Sequence, residues 1–193
     1  METLAQKVPA VDAAGFAIVA EAPVDVAARE ALLDRAMGPG RKRKSSEKLR
    51  RGRRPAEGLA FVARDASGGI VGTVRLWDVT FAGATGSKQA LLLGPLAADP
   101  VHARAGIGSA LMRHAIAEAA RLGHGAILLV GDAPYYQRFG FSSARTGDLA
   151  MPGPYERHRF LALELKAGAL DGAWGTLKAS GRKVKAGGAR LAA

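Results

Sequence analysis

Leu91-Leu92-Leu93-Gly94-Pro95-Leu96-Ala97-Ala98-Asp99-Pro100, running on into Val101-His102-Ala103-Arg104-Ala105-Gly106-Ile107-Gly108-Ser109, is the stretch on which the reading of this chain turns. Its first part has strand character and is too apolar for a sheet edge, yet it contains a proline. Proline has no N–H to give to a ladder, so a bulge or local break is expected at Gly94-Pro95. Bulges free backbone groups and often sit beside active sites, although a kink made only for packing reads equally well. The second part leads into a helix over 106–122, with Ile107, Leu111, Ala115 and Leu122 as its buried stripe. Glycines at a helix start let amide N–H groups approach an anion, and the positive end of the helix dipole adds attraction. Taken alone, Gly106-Ile107-Gly108 is also compatible with an ordinary tight loop.

Working outward, 15–19 reads as a strand. Residues 25–37 read as a helix, with Val26, Leu32, Leu33 and Met37 on one side and Gly38-Pro39-Gly40 ending it. A second, basic helix is expected over 42–51, closed by Gly52 and Pro55. Strands are expected at 59–64 and 70–80, joined by the hairpin signal Ala66-Ser67-Gly68-Gly69. A flexible loop over 83–88 precedes the strand at 90–97. Beyond the helix, the pattern gives a strand at 126–131, a short helix at 134–138 and an alternating strand at 160–166. From Gly168 onward glycine and alanine dominate and order is expected to fade. These readings give a domain over 1–166 and a basic Gly/Ala-rich tail over 167–193. The element order βααβββαβαβ makes this a mixed α/β domain.

Bulk properties narrow the function. Hydrophobic residues at 48% and charged ones at 23% match a soluble globular domain. Without cysteine there is no disulfide, no thiolate metal site and no cysteine nucleophile. No apolar run approaches the ~20 residues that span a bilayer. Residues 13–20 with Ala20-Glu21-Ala22 mimic an export signal, but only Lys7 supplies positive charge ahead of them and Asp12 interrupts the approach. A cytoplasmic protein is expected. The net charge of +11 is concentrated in 41–54, with nine basic residues against Glu47, and in 178–193, with five basic residues and no acid. Such runs are usually solvated faces or tails, and neither is interleaved with aromatics on which bases could stack, so nucleic acid is not the expected partner. Gly83-Ala84-Thr85-Gly86-Ser87-Lys88 has too few residues between its glycines for a phosphate-binding P-loop, and a dinucleotide fingerprint would need glycine where Leu111 stands. No Gly-x-Ser-x-Gly elbow is present, so Ser109 reads as a helix-start residue. The four histidines show no metal spacing, and no metal is expected.

Three motifs carry a resemblance. Leu93-Gly94-Pro95-Leu96-Ala97-Ala98-Asp99-Pro100, Ala105-Gly106-Ile107-Gly108-Ser109-Ala110-Leu111 and Gly131-Asp132-Ala133-Pro134-Tyr135-Tyr136-Gln137-Arg138-Phe139-Gly140-Phe141 resemble, in order and spacing, the GNAT superfamily of N-acetyltransferases. The last motif is most similar to the YhbS-like branch of predicted bacterial acetyltransferases. The resemblance runs over roughly 16–165. It implies a central, mostly antiparallel sheet flanked by helices, with one strand bulged and splayed to receive CoA. It implies acetyl-CoA as co-substrate, the pantetheine arm pairing with Leu96, Ala97 and Ala98 and the splayed partner being 126–131. Arg104, Ala105, Gly106, Ile107, Gly108 and Ser109 would hold the pyrophosphate. The family pattern opens with Gln or Arg where this chain has Ala103, and Arg104 is expected to supply the missing cation.

The implied reaction is N-acetyl transfer by direct attack of an amine in a ternary complex. A backbone N–H on the bulged strand would stabilise the oxyanion, and Tyr136 would act as general acid towards the thiolate. A tyrosine merely packed under the cofactor is the alternative for Tyr136. The strand 90–98 offers no carboxylate as base. Arg75, Asp78 and Asp132 are the candidates for the acceptor side, with helix capping the competing role for Asp132. A second reading of the whole chain is a non-catalytic CoA- or nucleotide-binding module of the same fold, docking on nucleic acid or another polyanion through 41–54. The expected partner is a small-molecule or protein amine. A basic second helix would repel polyamines and favour anionic acceptors or an acyl carrier protein. No membrane partner is expected, and the chain would act as a monomer or homodimer.

Overall fold

The sheet grows outward from its two longest strands. β3 (Ile70–Gly83) and β4 (Gly86–Ala98) stay antiparallel from Gly83↔Gly86 to Gly72↔Ala98, so a tight two-residue turn stands where a flexible loop over 83–88 was expected. Gly86 makes this reversal at φ +125, a region that favours glycine. The computed structural model describes residues 15–103 and 105–184. On one side of β3 lie β2 (Ala60–Asp65) and then β1 (Phe16–Ala20), both antiparallel. On the far side of β4, β5 (Ala126–Val130) runs parallel and β7 (Phe160–Glu164) antiparallel to β5. A short β6 (Leu149–Ala150) and β8 (Trp174–Ala179) complete the eight-stranded, mostly antiparallel sheet. No helix among the described residues is long and apolar enough to cross a membrane.

Order does not fade after Gly168. β2 pairs β3 only as far as Arg75, which leaves the Val79–Ala82 half of that edge open, and β8 pairs there. An unpaired edge leaves backbone donors and acceptors exposed, so the extra strand relieves that cost. Leu170, Ala173 and Leu177 are buried against Trp77, Val79, Phe81 and Phe160. The glycine-rich composition hid this, because Leu170 and Leu177 are the only large side chains of the segment buried in the contact, the rest being alanines. The segment 42–51 is also not one helix. It is a 3₁₀ turn, Pro39–Arg43, followed by the one-turn α2 (Glu47–Arg50).

Each face of the sheet buries its own cluster. On one face α3 (Ile107–Arg121) seats Ile107, Leu111, Met112, Ala115 and Ala119 over Ala63, Val74, Leu76 and Leu129. Ala119 continues the expected stripe, whereas Leu122 sits past the helix end and is 41% exposed. α1 (Val26–Met37) buries Leu32 and Leu33 against Ala97 at the end of β4. Gly72 sets how close α3 comes to β3: a Cβ there would stand 2.5 Å from Ile107 Cγ2 and 2.8 Å from Leu111 Cδ1. This contact fixes the N-terminal end of α3 against the sheet.

Candidate active site

A cleft of about 790 Å³ opens where β4 and β5 part. Only Leu91↔Ile127 and Leu92↔Leu128 pair between them, after which β4 continues to Ala98 with no partner on that side. The cause is the expected irregularity at Gly94-Pro95. Val74 faces Leu96 but Leu76 faces Leu93, so two residues of β4 stand opposite the single Arg75 of β3. That is a β-bulge, and it turns the strand away from β5. Gly94 takes φ +133, which favours glycine, and its carbonyl accepts from Trp77 Nε1 at 2.5 Å. Asp99 N–H donates to Val71 O at 2.8 Å, on the β3 side. Strand alternation therefore turns the Ala97 amide to β3 and the Leu96 and Ala98 amides into the gap.

The loop after β4 is built on Asp99, whose carboxylate accepts from Val101 N at 3.1 Å and pairs with Arg35 at 2.6 Å. The hydrogen bonds from Arg35 and Val101 hold its carboxyl below the usual carboxylate range. Gly106 is the N-cap of α3 at φ +75 and gives no side-chain cap, which leaves the first amides of the helix without a side-chain acceptor. Such amides, at the positive end of a 15-residue helix, have the geometry and charge that suit an anion. Ala105 and Gly106 are exposed there, and Ser109 is half-buried. Ile107 turns its side chain into the core, so only its backbone can serve a ligand. Arg104 lies outside the described residues.

Two tyrosines of α4 (Ala133–Gln137) close the cleft from the β5 side, and two glycines admit them. A Cβ at Gly131 would stand 2.1 Å from the Tyr136 ring, and one at Gly108 would stand 3.0 Å from the Tyr135 hydroxyl. Gly108 thus has a packing role besides its place in the loop. Tyr136 lines the cleft. Burial, helped by Tyr135 and opposed by Arg159, pushes its hydroxyl up to about 12. Asp132 occupies the N-cap position of α4, but its side chain makes no cap hydrogen bond; its backbone carbonyl accepts from Tyr135 and Tyr136 instead. The carboxylate lies exposed on the cleft wall.

The opposite wall is charged. Arg75 lines it, pairing with Glu21, with Nε to Oε2 at 2.7 Å, and lying 5.8 Å from the Trp77 ring centroid. Asp78 does not join it. It sits three residues along β3, on the opposite face, where its charge acts on His124, and its backbone carbonyl accepts from Ser180 and Gly181. An odd spacing along a strand cannot put two side chains on one face, so Arg75 and Asp78 do not share a site.

Sequence reasoning missed the residues that join this wall to the rest. Glu21, at the end of β1, bonds both Arg29 and Arg75, and burial raises its carboxyl against the pull of Arg29. The segment 41–54 is not wholly a free basic face: Lys42, Lys44 and Arg51 are exposed, but Arg41 and Arg50 are not. Arg41 is held by Asp34 at 2.7 Å and Glu30 at 2.5 Å, while Arg50 is turned inward towards Gly94. Nothing in the periodicity of a broken, one-turn helix marks Arg50 as an inward residue.

The acetyltransferase (GNAT) domain family matches residues 56–143. Over 161 residues the chain is 29% identical to the uncharacterized N-acetyltransferase YhbS of Escherichia coli (strain K12), covering 82% of this chain and 92% of that protein. It is 35% identical over 109 residues to the uncharacterized N-acetyltransferase YjhQ of the same organism, covering 55% of this chain and 58% of that protein. The crystal structure of E. coli YhbS in complex with CoA matches with a TM-score of 0.71 and 26% identity over 89% of this chain and 93% of that one. A GNAT family acetyltransferase from Brucella melitensis in complex with acetyl-CoA shares the fold, with a TM-score of 0.52 and 24% identity over 81% of this chain and 98% of that one.

Proposed function

We propose that this chain is an acetyltransferase of the GNAT kind, as its matched domain and its likeness to YhbS support, and that it moves the acetyl group of acetyl-CoA to a primary amine by direct attack in a ternary complex. The observation that carries this reading is the open β4 edge leading from the bulge to the uncapped start of α3. Acetyl-CoA supplies the acyl group as an activated thioester. Backbone of Leu96 and Ala98 would hold its arm. The amides at Gly106, Ile107 and Gly108, with Ala105 and Ser109 flanking and Arg104 as added cation, would hold its phosphates.

The remaining work falls to three groups of the protein. A Leu96 N–H aimed into the gap stabilises the oxyanion that develops as the amine bonds to the carbonyl carbon. Burial raises the Tyr136 hydroxyl to about 12, so it stays protonated through neutral and mildly alkaline pH. It therefore stays a donor to the sulfur that leaves with the electrons of the broken C–S bond. Glu30 and Glu47 on the cleft wall are engaged by Arg41 and Arg50, whereas the Asp132 carboxylate has no hydrogen bond among the described residues. Asp132 orders the water that takes up the amine proton. The experiment is an initial-rate study of CoA release with a panel of primary amines. Direct attack requires double-reciprocal plots that intersect; parallel plots would mean an acetylated enzyme and overturn the mechanism.

A further inference from the structure

Among the described residues Arg50 is the cleft cation with a buried nitrogen that lacks a partner. Its side chain is 10% exposed, and Nε has no partner among the described residues. Nη2 reaches Ser46 Oγ at 3.2 Å and Glu47 at 3.3 Å. Nη1 points at the bulge: it is the nearest atom, at 3.6 Å, to a Cβ built on Gly94. Guanidinium carries five donors, and burying one with donors unused is costly unless a ligand arrives to accept them. The neighbouring arginines are already committed, Arg75 to Glu21 and Arg41 to Glu30 and Asp34.

Position decides which ligand that is. From Gly94 to Ala98, where the phosphate loop begins, is four residues of strand, about 13 Å at ~3.3 Å each. An anion beside Gly94 is therefore at the thioester end of the gap, too far from the α3 start to be a donor phosphate. Around it the cleft is lined by seven basic side chains against three acidic ones, with Lys44 and Arg51 exposed at its mouth. Such a field gathers anions and repels polycations, while the buried fork of Arg50 supplies fixed geometry. We propose that Arg50 is the anion receptor of the acceptor site, so that the acceptor is an amine bearing a carboxylate or phosphate close to its reacting nitrogen. This rests on the acetyl transfer proposed above.

The test uses amines of one carbon skeleton ending in a carboxylate, a phosphate, a carboxamide or a second amine, with the full-length protein and its Arg50→Gln and Arg50→Lys variants. The anionic members should be the good acceptors, and the carboxylate and phosphate arms decide between the two anions. Arg50→Gln should raise the acceptor KM roughly ten- to a hundredfold for those members alone, the scale of a lost charged hydrogen bond. The acetyl-CoA KM should hold, and Arg50→Lys should recover part of the loss. In parallel, the N-acetylated forms of the same compounds are titrated calorimetrically into CoA-saturated protein, which reads the site without turnover. Should no amine be acetylated while the anionic products still bind and Arg50→Gln abolishes that binding, the transfer reading fails and the anion site stands. Wild-type protein that treats carboxylate and carboxamide alike in both arms overturns the proposal. So does an Arg50→Gln variant whose kcat falls equally for both with KM unchanged, or variants that lose both acceptors together with thermal stability.

Discussion

The two walls of the cleft are made of different material. The wall proposed to hold the acyl donor, from the β4 bulge to α3 and α4, is backbone and glycine: the Leu96 and Ala98 amides, the Gly106 cap, and Gly108 and Gly131 under two tyrosines. The wall proposed to face the acceptor is charged side chains from α1, β3 and residues 39–52, held in pairs such as Arg41 with Glu30 and Arg75 with Glu21, which stands behind the wall just after β1. Backbone binding serves a ligand whose shape does not change, and it leaves short motifs with fixed spacing. Side-chain binding can be re-cut for another ligand without disturbing the sheet, and it leaves no motif.

That contrast breaks first if Tyr136 does not belong to the reaction. Tyr136→Phe keeps the ring over Gly131 and removes only the hydroxyl. It should lower kcat roughly 10²- to 10⁴-fold, with acetyl-CoA affinity unchanged by calorimetry. Equal loss in kcat and affinity would make Tyr136 a packing residue of the donor wall and nothing more.

A smaller effect sharpens the donor side. Gly72→Ala puts a methyl between β3 and α3, 2.5 Å from Ile107 Cγ2. Overpacking of this kind costs about 1–3 kcal/mol, which a thermal melt reads as a drop of several degrees. Because the displaced element is the start of α3, acetyl-CoA affinity should weaken as well, while the pairing of Arg41 with Glu30 on the acceptor wall should not be felt. A variant that melts lower yet binds acetyl-CoA normally would show that the helix start tolerates displacement.

The smallest expected effect is an absence of change. Tyr136 is raised by burial from its ordinary 10.0 to about 12. In the proposed mechanism the protonated form is the active one, so raising the pH from 7 to 10 should not deplete it, and kcat should rise or level off as acceptor amines lose their proton. An alkaline fall in kcat with an apparent midpoint near 10 would mean that the hydroxyl is not buried in the working complex. The same raised value contributes stability that is present below pH 10 and lost as the pH climbs through about 12.

How much was legible in the sequence follows the same division. Gly94-Pro95 inside an apolar strand announced the bulge, because proline has no donor to give. Gly106-Ile107-Gly108 before an amphipathic stretch announced the helix start. Neither needs a distant partner. Arg75 and Asp78 were both candidates, because which face of β3 meets the cleft is set by the strands and helices packed around it; Arg75 lines the cleft and Asp78 does not. β8 was missed because its burial depends on an edge that β2 leaves free, which is a property of two other strands. Arg50 and Glu21 were missed for the same reason. Each is an ordinary polar residue in its own segment, and only the contact with Gly94 in one case and Arg75 in the other gives it a role.

The central claim is that the open edge of β4 and the start of α3 together hold acetyl-CoA. Calorimetric titration of acetyl-CoA into the wild-type protein and into a Gly106→Glu variant tests it most directly. Gly106 has open space around its Cα and takes φ +75, so the substitution strains the cap and adds a negative charge where the phosphates would lie. Saturable, one-to-one binding that the variant weakens roughly a hundredfold or more, from strain and the lost dipole attraction together, is the expected result. Binding that is unchanged in the variant, or wild-type protein that binds no acetyl-CoA, would contradict it.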